Sequence, residues 1–148
     1  MNFKQINVNS INNAFNVINK FIINTPLQLN TRLSDIYGAN IYLKREDLQN
    51  VRSFKIRGAL NKILNLNDIE KKNGIVCASA GNHAQGVALS CNKLNIDCDI
   101  FLPENTPLQK INRIKYFGNS NCNLHLIGNT FDNTLQSSLD FKNRYNKS

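Results

Sequence analysis

Short apolar runs alternate along this sequence with longer segments of helical period, and that alternation constrains the fold more than any other feature. Ile75 to Ala78, Cys98 to Leu102 and Asn123 to Ile127 have strand-like composition. Each leads into a stretch of helical character. Val87, Ala88, Cys91 and Leu94 share one helical face, and Leu108, Ile111, Ile114 and Phe117 share another. Pro107 starts the second of these helices and Gly118 ends it. Asn129-Thr130 opens a last helix that runs to the C-terminus. Upstream, Ile41 to Lys44 predicts a strand. Ser53 predicts the cap of a helix to about Leu66, with Phe54, Ala59, Leu60, Ile63 and Leu64 apolar. Strand and helix therefore alternate four times. The expected fold is α/β, a three-layer unit with helices on the faces of a largely parallel sheet.

A leading helix is expected over about 6–22, from Ile11, Ala14, Phe15, Ile18, Phe21 and Ile22. Asn24-Thr25-Pro26-Leu27 stops it. The 148 residues make one ordinary domain or a piece of a larger one, and 41% hydrophobic content is enough for a core. No apolar run approaches the roughly 18 residues of a membrane span. No segment reads as a secretory signal, so the expected compartment is the cytoplasm. The net charge of +8 is scattered and accompanies heavy use of Asn, Ile and Lys. A solvated surface is therefore preferred to a nucleic-acid partner. Cys77, Cys91, Cys98 and Cys122 form no C-x-x-C and no metal-ligand spacing, so they are expected as reduced thiols, with Cys77 and Cys91 in the core.

Chemistry concentrates in two segments. In Ser53-Phe54-Lys55-Ile56-Arg57-Gly58-Ala59, a lysine lies at a helix start, where the dipole disfavours a cation. With burial added, that placement would free its amine as a nucleophile. An exposed surface lysine is the plainer reading. In Ala78-Ser79-Ala80-Gly81-Asn82-His83-Ala84-Gln85-Gly86, small residues lead from a strand into a helix. Its free backbone N–H groups could receive an anion. An ordinary turn is the alternative, and His83 could simply cap or pack. His125, inside a strand, is expected to be structural.

Together, Lys-Arg-Glu-Asp over 44–47, the 53–59 segment and Ala-Ser-Ala-Gly-Asn-His-Ala-Gln-Gly-Val-Ala over 78–88 resemble the N-terminal part of the threonine dehydratases. These are pyridoxal phosphate (PLP) enzymes of fold type II, related in fold to the tryptophan synthase β chain. Thr25-Pro26-Leu27 and the stretch from Pro103 to Gly118 fit the same pattern, so the resemblance covers about 24–148. Ile56-Arg57 after the lysine resembles the threonine/serine dehydratase and serine racemase branch rather than threonine synthases, which place an Asp there. The resemblance implies that Lys55 carries PLP, that Asn82 hydrogen-bonds its ring hydroxyl and that Phe54 packs against it. Ser79, Ala80, Gly81 and His83 would receive the substrate carboxylate. The implied reaction is β-elimination of threonine to 2-oxobutanoate and ammonia, with Lys55 as general base.

The resemblance also sets a departure. None of the seven glycines is adjacent to another, whereas the family holds the PLP phosphate in a glycine-rich loop of a larger second domain. The chain is expected to be a single partial catalytic domain over 1–148, a leading helix over 1–24 followed by the small domain without the large one. It would be poorly active alone. A truncated remnant, half of a split enzyme needing a complementing C-terminal fragment, and a frameshifted product all fit. Apolar surface left uncovered would favour association, including homo-oligomers.

Overall fold

The computed structural model describes residues 6–148. The first helix, α1 (Val8–Ile18), is capped by the Asn7 side chain, which accepts from the Ser10 N–H at 2.9 Å. It is shorter than the expected 6–22, and only Ile18 of its apolar stripe is buried, while Ile11 and Phe15 are exposed. Helical period located the helix, but it packs on the body of the protein only through its C-terminal end, where Phe21 and Ile22 continue the contact beyond the last turn.

The strand expected at 41–44 is present as β2 (Tyr42–Lys44), but it stands outside the parallel sheet. It pairs antiparallel with β1 (Leu27–Leu29), Leu27 facing Lys44 and Leu29 facing Tyr42. Between them lies α2 (Thr31–Tyr37), capped by Asn30 and ended by Gly38 at φ +60°. Both β1 and α2 are too short to show a period, which is why the sequence reads them only as a break after Pro26.

The next helix, α3 (Lys55–Leu64), corrects the expected cap. Phe54 holds the N-cap position, while the Ser53 hydroxyl is buried without a hydrogen-bond partner. Phe54 itself is 59% exposed and stands off the apolar face, which Ile56, Ala59, Leu60 and Ile63 bury. The helix stops at Leu64, and a separate α4 (Asp68–Asn73) follows behind a capping box between Asn67 and Glu70.

From there the order matches the expectation: β3 (Ile75–Ala78), α5 (Asn82–Leu94), β4 (Cys98–Leu102), α6 (Leu108–Gly118), β5 (Cys122–Leu126) and α7 (Phe131–Arg144). The sheet runs β3-β4-β5, all parallel, with Ile75 beside Cys98 and Cys98 beside Cys122. Central β4 is wholly buried. Its alternate residues Cys98, Ile100 and Leu102 join the core built on α3, α5 and α6. Asp99 and Phe101 point to the other face, beneath α7. There Phe101 stacks on His125 at 4.5 Å and meets Phe141 at 5.3 Å. Buried Asp99 accepts His125 Nε2 at 2.8 Å and Lys147 Nζ at 3.0 Å. His125 thus serves the packing of α7, as the sequence suggested.

Cys77, Cys91 and Cys98 are buried and Cys122 half-buried, all as free thiols. Burial pushes the Cys77 thiol up to about 12. The thiol–thiol hydrogen bond with Cys98 raises Cys122, and burial adds to it. On Cys98 that same bond works downward, yet Cys91 and burial leave it raised.

The hairpin is tied to α3 by one carboxylate. Glu46 accepts Arg57 Nε at 2.9 Å and Nη2 at 2.7 Å, and the Thr25 hydroxyl at 2.6 Å. Lys44 Nζ bonds the Thr25 carbonyl. The Arg57 bond first, then the Thr25 hydroxyl, hold the Glu46 carboxyl below its usual 4.5. Its stabilisation is therefore full above pH 4.5 and fades as pH falls through the lowered native value. Glu46→Gln is expected to cost about 2 kcal/mol at neutral pH, because it strands a partly buried guanidinium. Urea midpoints of variant and wild type should converge in acid, and parallel curves there would contradict the tie.

Candidate active site

Lys55 is the first residue of α3 and Asn82 the first of α5, so both expected chemical segments sit at helix starts. The two helices approach each other at Gly86. A Cβ built there would lie 3.2 Å from both the carbonyl carbon and the oxygen of Lys55, and 3.3 Å from the Ile56 nitrogen. Glycine lets the Lys55 main chain rest this close to α5 without strain, whereas a side chain here would make the backbone give by a few tenths of an ångström. The crossing fixes where the lysine leaves its helix relative to the 79–83 turn.

That turn has the features of an anion receptor. Gly81 is the N-cap in extended conformation, and no side chain caps the helix. The first-turn amides of a 13-residue helix are therefore left to a ligand or to water, and no acidic residue lies among them. Ser79, Ala80 and Gly81 are half-buried, while Asn82 and His83 are exposed. The Ser79 hydroxyl accepts from the Gly81 N–H at 3.3 Å, which shapes the turn.

Lys55 is also exposed, and its Nζ stands 5.3 Å from the centre of the Phe54 ring. Burial, the expected activator of its amine, is therefore not supplied by the described residues. Phe54 is placed to touch a ligand only by turning from that cation–π contact. His83 couples to the same lysine. Desolvation holds its imidazole below the usual 6.5, and the Lys55 charge lowers it further. At neutral pH His83 is thus a neutral hydrogen-bonding group. Replacing Lys55 by Met should raise the His83 titration midpoint in NMR, and an unmoved midpoint would place the two groups apart.

The structure thus gathers Ser79, Ala80, Gly81, Asn82 and His83 in one turn, with Lys55 and Phe54 beside it. Sequence reading assigned the 44–47 run to architecture behind the site, but not its bonds to Thr25 and Arg57, nor the role of Gln49. Glu46, Thr25 and Arg57 hold the first turn of α3 from the hairpin side. Buried Gln49 braces the segment before it, accepting from Ile23 N–H at 3.1 Å and donating to Ile23 C=O at 2.7 Å. The charge run over 44–47 was the only signal for the first group, and nothing local marked Gln49. A groove of about 650 Å³ opens beside Lys55 rather than over it, with Gly58, Ala78 and His83 among its lining.

Residues 18–146 match the pyridoxal-phosphate dependent enzyme family. The chain belongs to that family. It is 51% identical over 140 residues to a biosynthetic L-threonine dehydratase of Staphylococcus aureus, covering 95% of this chain and 33% of that protein. A Staphylococcus epidermidis counterpart is 50% identical over 141 residues, again 33% of its length. The chain thus spans about a third of the curated relatives it matches. Among solved structures, maize serine racemase superposes with a TM-score of 0.88 at 28% identity, over 95% of this chain and 42% of that one. The processed threonine deaminase isoform 2 of Solanum lycopersicum gives 0.84 at 37% identity, over 97% and 40%. The expected fold-type II unit is therefore present, and it corresponds to less than half of each of those solved chains.

PLP is the cofactor of this family. The described residues fit part of it: an unpaired primary amine, an uncapped helix start and a turn of small residues lie together.

Proposed function

We propose that this chain carries the lysine-and-carboxylate half of a PLP-dependent site for β-elimination of L-threonine, with L-serine as a related substrate. The juxtaposition of Lys55 with the uncapped start of α5, fixed by the close approach at Gly86, carries this reading. The similarity to L-threonine dehydratases supports the substrate. Bound PLP would supply the electron sink that makes the substrate Cα–H acidic. Lys55 Nζ holds the cofactor at rest and takes that proton as general base. The turn over 79–81, the first amides of α5 and the neutral His83 receive the substrate carboxylate and fix its orientation. Asn82 would hydrogen-bond the cofactor ring hydroxyl. The β-hydroxyl leaves, and hydrolysis of the product gives 2-oxobutanoate and ammonia, a step in amino-acid biosynthesis placed in the cytoplasm.

The phosphate of PLP needs a further cradle, because the seven glycines are dispersed. A second polypeptide segment supplies it in this reading. The test is 2-oxobutanoate release from L-threonine by the chain with PLP, alone and mixed with the remaining two thirds of the S. aureus enzyme made separately. Turnover only in the mixture supports the reading. No turnover in either, with both polypeptides folded, favours a second reading, a folded remnant without chemistry. The exposure of Lys55 is the observation on that side.

A further inference from the structure

We propose that Cys98 and Cys122 form an oxidative modification site, a dithiol that a low-molecular-weight disulfide converts into a cross-strand disulfide. The site lies at the end of the sheet opposite the 79–83 turn, and it stands independently of the elimination reading.

The register brings the two residues together. Cys98 and Cys122 are the first residues of β4 and β5 and are direct partners across the parallel pair. Neighbouring strands run about 4.8 Å apart. A disulfide spans Cα separations of about 4.4–6.8 Å, so the main chain already holds the pair within reach. Both side chains belong to the core side of the sheet. Gly118 records how Cys122 gets there. A Cβ built on Gly118 would overlap the Cys122 Cβ, and would lie 3.0 Å from its Sγ and 3.4 Å from the Ala88 Cβ. The missing side chain at the end of α6 is what lets Cys122 face inward, toward α5. There its sulfur shares a hydrogen bond with Cys98, which also bonds Cys91 of α5.

Exposure selects between the two possible pairs. Cys91 and Cys98 are fully enclosed, whereas Cys122 is half-buried. No residue of β5 is buried, and among the described residues β5 pairs with β4 alone. The chain enters β5 through Asn119 at φ +49°. Such an edge opens more readily than β4, which is buried throughout. The raised thiols keep the closed sheet unreactive, so the chemistry begins when the edge opens. The Cys122 thiol loses its proton, and its sulfur attacks an external disulfide R–S–S–R. One R–S–H leaves with that proton, and a mixed disulfide remains on Cys122. As β5 returns to its place, the Cys98 sulfur displaces the second R–S–H, which takes the Cys98 proton. Two protein thiols are oxidised, and one external disulfide is reduced to two thiols. The new bond pins the edge strand to the centre of the sheet.

The test incubates the full 148-residue chain with oxidised glutathione and maps its peptides without reduction. The expected product joins the Cys98 and Cys122 peptides, carries no glutathione and has lost two hydrogens. Exchange of the β5 amides that bond β4 should then slow by about tenfold. Cys98→Ala should leave glutathione trapped on Cys122, because the resolving thiol is gone. Cys91→Ala should still give the Cys98–Cys122 bond. In urea the shorter loop is favoured by chain entropy, so a Cys91–Cys98 bond should lead there instead. Should either variant fail to fold, the wild-type map decides alone. A map of the folded chain without the Cys98–Cys122 bond, or one in which Cys91–Cys98 leads, overturns the proposal. The same mixture with and without urea overturns the role of the fold in choosing the pair, and unchanged β5 exchange after oxidation overturns the pinning.

Discussion

Lys55→Ala is expected to abolish the visible absorbance band that PLP gains on mixing with the wild-type chain. In the complemented enzyme it should cut 2-oxobutanoate formation by roughly 10³-fold. The reasoning is chemical. A primary amine is the group that can hold PLP covalently, and among the described residues the same amine is the one candidate base at the start of α3. If Lys55 has the proposed roles, its loss removes both cofactor retention and proton abstraction. Exposure of Lys55 predicts a weak band in the isolated chain, because none of the described residues covers its amine. Lys115→Ala, on the exposed side of α6, is the matched control for adventitious lysine chemistry. A band that survives Lys55→Ala but falls with Lys115→Ala would remove Lys55 from the site.

Gly86→Val should be the most damaging substitution outside the lysine, at about 3 kcal/mol of stability. The first carbon of the new side chain already meets Lys55 main-chain atoms at 3.2 Å, and those atoms are backbone that cannot rotate away. The helices must part, and the origin of the Lys55 side chain moves with them. The variant should lose PLP binding even under conditions where it remains folded. Gly58→Ala is the contrast on the same helix pair. Its new methyl meets nothing within 4 Å, so it should stabilise α3 by up to about 1 kcal/mol. Equal urea midpoints for Gly86→Val and wild type would refute the close crossing.

The parallel half of the fold was legible because its strands are bounded by strong punctuation. Gly74 precedes β3, Pro103 follows β4, and Gly118 closes α6, so local chemistry and tertiary structure agree there. The hairpin half was not. Leu27–Leu29 is a three-residue exposed strand whose pairing with Tyr42–Lys44 is set by a partner distant in sequence, and no local period reports that. Ser53 misled for a related reason. A serine before a helix is usually its cap, but here the side chain is turned inward and the helix begins one residue late. At the site, spacing alone left Lys55 as a surface lysine and the 79–83 turn open between an anion site and an ordinary turn, and only the resemblance singled them out as candidates. It could not report solvent exposure, which depends on what covers the start of α3. The Glu46–Arg57 pair joins two segments that sequence reading treated separately.

The buried thiols turn the sheet into a gauge of its own breathing. Alkylating reagents attack the thiolate, and Cys77 at about 12 has almost none at neutral pH. Cys98, central and fully enclosed, is raised as well. Labelling of either therefore requires the strands to separate from α5, so its rate counts openings rather than surface collisions. Cys122 is half-buried on edge strand β5, but its thiol is also raised by its bond with Cys98, so it too labels only once that bond opens; labelling of Cys122 ahead of Cys98 would mark fraying of the edge, and joint labelling loss of the whole sheet. Mass spectrometry of partly alkylated protein would then show, without any added probe, how far binding at the site tightens the rest of the molecule.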